Sequence, residues 1–361
     1  MLETPMLIGQ LIIIVVVLLM PLLVHRVERN LEVFLFVMGA ASATISHLLG
    51  PSPVWSIHLV GEAFREPVLI SAAVLAAGCI FQRYRVPITA AIVHGEKRLG
   101  PHVFAFLIVV ILGLISSIIT AIIAAIVLVE VIYALDLDRD YETKLTILSC
   151  FSIGLGAALT PAGEPLSTIA IGKLRGAPYH ADFFFLLRNL GWYIIPGVVF
   201  LGFLGAFFRA RQVASDSLGK PGARREETYR DVALRALKVY LFIMALVFLG
   251  AGFKPIIDTY LVRIHAGILY WINTISAVLD NATLASAEIS STMTLEQIRF
   301  LLMGLLISGG MLIPGNIPNI ITAGKLNIRS KEWARFGVPL GSILMVVYFV
   351  ILLIFSMPHP R

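Results

Sequence analysis

Charge is scarce in this chain: Asp, Glu, Lys and Arg together make up 14% of its 361 residues, where soluble proteins carry roughly a quarter. That excludes an ordinary water-soluble domain. The net charge of +6 comes from Lys and Arg dispersed through short connections, so no dense basic face for nucleic acid is expected. Cysteine is scarcer still. Cys79 and Cys150 both lie in apolar runs and read as small core residues, not as a disulfide framework or a metal cluster. His47 and His58 flank one short loop without a Cys or His partner nearby, which excludes a zinc-type site.

What the chain has in abundance is apolar length. Hydrophobic residues are 58% of the sequence and the mean hydropathy is +0.91, which marks an all-α polytopic membrane protein. The runs approach the roughly 20 residues a helix needs to cross the hydrocarbon and are too unbroken for barrel strands. The first run is too long and apolar for a signal-peptide core, and no small-residue cleavage site follows it. Eight full spans are expected: Leu7 to Val24, Leu31 to Leu49, Pro67 to Phe81, Leu145 to Ile171, Phe184 to Phe208, Val232 to Ala251, Ile298 to Ala323 and Phe336 to Phe355. Two further segments fit a single crossing poorly. Val103 to Ala134 as one helix would be about 48 Å long, so a re-entrant helical hairpin fits better, and Ile264 to Ile289 reads the same way.

Basic residues give an independent check on this layout. With a periplasmic N-terminus, Arg26 and Arg29, Arg83 to Arg98, Arg139 and Lys144, Arg209 to Arg230 and Lys325 to Arg335 fall inside. Only Arg65, Lys173, Arg175, Lys254, Arg263 and Arg361 fall outside, in line with the positive-inside bias. The two hairpins then enter from opposite faces.

The order full span, hairpin, interrupted span, full span occurs twice. This gives a two-helix scaffold segment over 1–66, a first inverted repeat over 67–211, a cytoplasmic linker over 212–231 and a second inverted repeat over 232–361. The interruptions share a pattern: GAALTPAGEPLSTIAIGKL from Gly156 to Leu174, and GGMLIPGNIPNIITAGKL from Gly309 to Leu326. Pro161, Gly163 and Pro165 in the first, and Pro314, Gly315 and Pro318 in the second, break the helix. Backbone groups freed at membrane depth must then find protein, water or substrate. Thr160 and Glu164 supply oxygens at the first break, Asn316 and Asn319 carboxamides at the second. Ser116, Ser117 and Thr120 mark the first hairpin tip, and Ser276, Asp280 and Asn281 the second. A buried carboxylate implies an ion path or a proton relay, so a sodium site is expected at Glu164 and Asp280. Glu130 and Glu288 stand near the hairpin exits and read as interfacial.

The pairing of Ser276–Asn281 with Gly309–Asn319 resembles the ion transporter superfamily, which includes sodium/proton antiporters, the arsenite pump and di- and tricarboxylate carriers. The likeness spans Pro67 to Phe355 and is nearest to a small prokaryotic family of cation transporters of uncharacterised function. It implies an elevator-like mechanism, a homodimer and a prokaryotic inner membrane, with Asp280, Asn281, Thr160 and Pro161 handling cation and proton. The first hairpin departs from the pattern by lacking an Asp-Asn pair, Glu164 is an addition, and the Ser-Asn-Thr signature of carboxylate carriers is missing.

The expected function is secondary transport, not enzymatic catalysis: exchange of sodium or another small cation for protons by alternating access. Membrane lipid is a partner and nucleic acid is not. H+ and/or Na+ are the coupling ions, and no other cofactor is expected. A sodium- or proton-coupled anion transporter, and a channel or membrane scaffold, are the alternatives.

Overall fold

A computed structural model describes residues 4–356 apart from 29, 52, 136, 216–227, 257–258, 260–265 and 279–280. Among the described residues the protein is helical, with no sheet. The chain opens with α1 (Thr4–Leu23), the single turn α2 (His25–Glu28) and α3 (Leu31–Leu49). Next comes α4 (Ile57–Leu99), 43 residues begun by the Ser56 side chain accepting from the Leu59 amide. Its middle contains the expected span Pro67 to Phe81, but the helix also continues through the basic stretch read as a connection. It bends at Tyr84 (φ −112°, ψ 20°). Pro87 explains the bend, because it offers no N–H to the carbonyl four residues back and its ring pushes that carbonyl aside.

The apolar segment after α4 divides into α5 (Pro101–Ile119) and α6 (Ala121–Leu135), which pack against each other across a one-residue joint at Thr120. A helix and its short continuation follow, α7 (Arg139–Ala157) and α8 (Pro165–Lys173), and then the long α9 (Phe185–Ser215). Residues 216–227 of the expected linker lie outside the described residues. The second half of the chain begins with α10 (Tyr229–Ile256) and α11 (Ala266–Ile272). A 3-10 turn (Asn273–Ala277) leads to α12 (Asn281–Glu288). A helix in two parts returns as α13 (Leu295–Gly309) and α14 (Ile317–Leu326), with a 3-10 turn at Ile313–Gly315 between them, before α15 (Ser330–Ser356).

Six of the described helices contain stretches long and apolar enough to cross a membrane: Thr4–Pro21, Leu31–Leu49, Pro101–Ile119, Phe185–Arg209, Tyr229–Ile256 and Ser330–Phe355. Large apolar side chains such as Ile12, Phe64, Phe203 and Val346 stand on the outside, as lipid contact requires. The core follows the opposite logic. Every residue of α7 from Leu145 to Ala157 is buried, as is every residue of α13 from Phe300 to Gly309. A helix covered on all sides belongs at the centre; here α5 and α9 pack on α7, while α11 and α15 pack on α13.

Polar anchors lock the surrounding helices to this centre. Gln10 of α1 donates to the Ser42 carbonyl and to Ser46 Oγ of α3, both at 2.8 Å, and Ser46 donates to the Gly252 carbonyl of α10. Arg139, at the start of α7, pairs with Glu332 at 2.7 Å and donates to the Leu326 and Asn327 carbonyls. It thereby satisfies two of the carbonyls that the end of α14 leaves without helical partners.

Candidate functional site

Each core helix stops in the protein interior and restarts after a short non-helical stretch. In the first break the chain is irregular over 158–164. Pro161 and Gly163 lie inside that stretch, Glu164 is the N-cap of α8 in extended conformation, and Pro165 takes the first helical position, where a missing N–H costs nothing. Gly163 is required by packing, since a Cβ there would stand 2.0 Å from the Ala157 carbonyl oxygen. In the second break Pro314 and Gly315 form the 3-10 turn, Asn316 is the extended N-cap of α14 and Pro318 sits in its first turn. A Cβ on Gly315 would lie 2.8 Å from the Ser276 carbonyl oxygen and 3.0 Å from Ala277 Cα, so the α11–α12 joint rests on this glycine.

The joint at Thr120 is tied to the first break. Thr160 Oγ1 donates to the Ser117 carbonyl, and the Ala121 amide donates to the Gly163 carbonyl at 2.9 Å. Thr120 itself has φ 79° and ψ 148°, a region that is nearly glycine-only and costs about 1–3 kcal/mol for other residues. Its hydroxyl accepts from the Ile123 amide at 3.3 Å and so caps α6. The hydroxyls of Ser116 and Ser117 are turned to their own helix, donating to Gly113 and Leu114 carbonyls at 2.6 and 2.7 Å; Ser116 also reaches the Ile153 carbonyl at 3.0 Å.

At the second break Asn319 uses Nδ2 twice, donating to the Gly309 and Leu312 carbonyls, each at 2.9 Å, and so holds the irregular stretch in shape. Asn281 is buried at the start of α12, its Nδ2 3.7 Å from where a Gly309 Cβ would be. Ser276 Oγ reaches the Leu305 carbonyl only at 3.4 Å. Asp280 lies outside the described residues.

The second break lies against α7, the core helix of the first half, shortly before the first break begins. Asn316 Nδ2 lies 2.8 Å from the position of a Cβ on Gly154, which places the second break's N-cap side chain against α7. Cys150 Sγ and Thr322 Oγ1 are 3.2 Å apart across the same contact. Away from it, α12 packs on α8 and α6 packs on α14, so each helix that follows a joint covers the restarted helix from the other half of the chain. Around these junctions Ser167 Oγ, Asn273 Oδ1, Asn281 Nδ2, Glu288 Oε1 and Asn319 Oδ1 are buried polar atoms without a hydrogen-bond partner among the described residues. Native interiors leave few such atoms, and each costs about 1–3 kcal/mol. Glu164 is buried at the N-cap of α8. Among the described residues no three His, Cys, Asp or Glu side chains gather as a metal cluster; the oxygens available here are those of carbonyls, carboxamides, hydroxyls and a carboxylate.

Two acids read as interfacial are instead buried inside the protein. Glu130 on α6 meets Lys325 of α14 at 2.7 Å, both side chains nearly inaccessible, and Tyr133 donates to the Lys325 carbonyl. Glu288, at the end of α12, accepts from Asn273 Nδ2 at 2.9 Å. The motif ending Gly-Lys-Leu occurs at both breaks, as Gly172–Leu174 and Gly324–Leu326, but only the second lysine is buried against an acid, while Lys173 is exposed.

Taken together, these helices and their buried breaks define a multi-span, all-helical membrane protein. The chain belongs to the family described as protein of unknown function DUF1646, whose pattern matches residues 7–355. No curated protein matches it.

Proposed function

We propose that this protein is a secondary transporter that exchanges sodium or another small cation for protons by alternating access. The observation that carries the reading is the meeting of two broken core helices. Each restarts at a polar, buried N-cap, Glu164 or Asn316, that makes no side-chain cap bond. Non-helical backbone at membrane depth is tolerated where it lines a substrate site. In this reading α5–α6 and α11–α12 are re-entrant hairpins, and the halves 67–211 and 232–361 are inverted repeats. The cross-covering of α8 by α12 and of α14 by α6 supports that relation. Glu164 and Asp280, with Thr160, Asn281, Asn316 and Asn319, hold the cation; Ser116, Ser117, Thr120 and Ser276 shape the hairpin tips around it. Protonation from the opposite side releases the ion, since a bound cation and a proton compete for the same carboxylates.

The test is sodium-dependent proton flux in proteoliposomes. Flux present in the wild type and collapsed in both E164Q and D280N is the expected result. Full exchange in both variants removes these acids from the site.

A second reading has its own support. The first amides of α8 and α14 receive no side-chain cap, and uncapped helix N-termini favour anions. Uptake of a labelled anion into sodium-loaded vesicles, without proton-coupled cation exchange, would select that reading.

A further inference from the structure

We propose that Glu288, together with Asn273, forms a buried proton-binding site separate from the residues at the helix breaks, and that this site relays the coupling proton to them. The coupling role rests on the transporter reading above. The proton site does not.

The argument begins with an imbalance of donors. Glu288 is 1% exposed and Asn273 is fully buried. Asn273 Nδ2 donates to Glu288 Oε2 at 2.9 Å, while Glu288 Oε1 and Asn273 Oδ1 have no hydrogen-bond partner among the described residues. With the acid ionised, both unpaired atoms are acceptors, and the pair is one hydrogen short. A proton on Oε1 supplies that hydrogen. It also removes a charge to which no cation among the described residues is bonded.

The neighbouring charges do not change this balance. α12 packs on α8, α10, α13 and the Asn273–Ala277 turn. Those elements carry Lys173, Lys238, Lys254, Glu296 and Arg299 among their charged residues, and none is bonded to Glu288, whose one partner among the described residues is Asn273. Lys238 pairs with Glu32 at 2.9 Å, Arg299 donates to Asn189, and Lys173 and Lys254 are exposed.

The other half of the molecule supplies the contrast. Glu130 is the buried acid of α6, which packs on α14, as Glu288 is the buried acid of α12, which packs on α8. Both α8 and α14 carry the lysine of the Gly-Lys-Leu motif, but only Lys325 reaches its acid, at 2.7 Å. One carboxylate is neutralised by a permanent cation; its counterpart can be neutralised by a mobile one. The site also touches the core helix, because Ser308, next to the break at Gly309, donates to the Asn273 carbonyl at 2.7 Å.

Infrared spectroscopy of the purified full-length protein tests the site without reference to transport. At neutral pH the wild type should show the carbonyl stretch of a protonated carboxylic acid that is missing in E288Q. In Asn273→Ala the carboxyl is kept and that band should move to higher frequency as its hydrogen bonds are lost, a readout that stands even where E288Q fails to fold. An unchanged band in E288Q, or an unmoved one in Asn273→Ala, overturns the proposal. In proteoliposomes E288Q should keep sodium–sodium exchange and lose flux driven by a pH gradient; persistence of pH-driven flux overturns the coupling role. A wild type with the expected band but no cation flux leaves the proton site standing and removes the transporter reading.

Discussion

Thr120 and Lys325 carry the clearest single-residue consequences. Thr120 occupies backbone space that suits glycine (φ 79°, ψ 148°) and is held there by bonds from its flanks to the first break. Thr120→Gly relieves about 1–3 kcal/mol of strain and loses a few tenths from the cap at α6. Thermal unfolding in detergent should therefore show a gain of about 1 kcal/mol, and a loss would mean that the hydroxyl outweighs the strain. Lys325→Met points the other way: it leaves Glu130 buried without its ammonium, a change that typically costs about 3–5 kcal/mol. The double variant K325M/E130L should recover most of that loss, because an apolar pair of similar volume replaces the ions. A single-variant effect below about 1 kcal/mol would show the pair to be a surface-like bridge. Neither feature was legible in the sequence. Thr120 looked like any polar residue in a hairpin tip, since a φ angle is decided by what the flanks bond to. The acid-base pair joins residues 195 positions apart, a proximity no local pattern encodes.

Helix-scale features were more legible, and the exceptions have physical causes. The breaks fall where proline and glycine cluster because those residues remove donors and admit close approach locally, whatever the tertiary setting. The apolar runs announce helices because length and hydropathy are local too. The reading failed on α4, where the basic stretch after Phe81 was taken for a connection. Charge gives no reason for a helix to stop, and Pro87 bends α4 without ending it. Its far end is held by Glu96, which pairs with Arg209 of α9 at 2.8 Å, and that partner is again remote in sequence. Packing between elements gives a further prediction. A Cβ on Gly156 would stand 1.8 Å from the Gly113 carbonyl oxygen, so α5 and α7 touch backbone to backbone. Gly156→Ala must push them apart, at about 1–3 kcal/mol or more. Gly172, inside α8, has open space around it, and Gly172→Ala should stabilise by about 0.5–1 kcal/mol through helix propensity alone. Unfolding curves that place both variants on the same side of wild type would contradict this account of the contact.

At the scale of the whole molecule, the question is whether the two halves are related by inversion across the membrane. On the layout expected from the distribution of Lys and Arg, Lys173 would lie outside and Lys325 inside. The shared Gly-Lys-Leu ending then occupies opposite faces, which direct repeats could not achieve. The fold offers a matched pair of probes: Gly172 and Gly324 immediately precede those lysines, are both exposed, and have no atom within 4 Å of an added Cβ. A cysteine at either position should be tolerated and reachable. The background thiols are manageable, since Cys150 is buried and Cys79 can be replaced by serine. A membrane-impermeant maleimide should label Gly172→Cys in vesicles of one orientation only, and Gly324→Cys only in vesicles of the opposite orientation. Labelling of both from one side would make the two breaks parallel. The inverted-repeat relation would then fall, and with it the symmetry argument for alternating access. Labelling from opposite sides would make Glu130–Lys325 and Glu288 counterparts across the membrane, one ion-paired and one not.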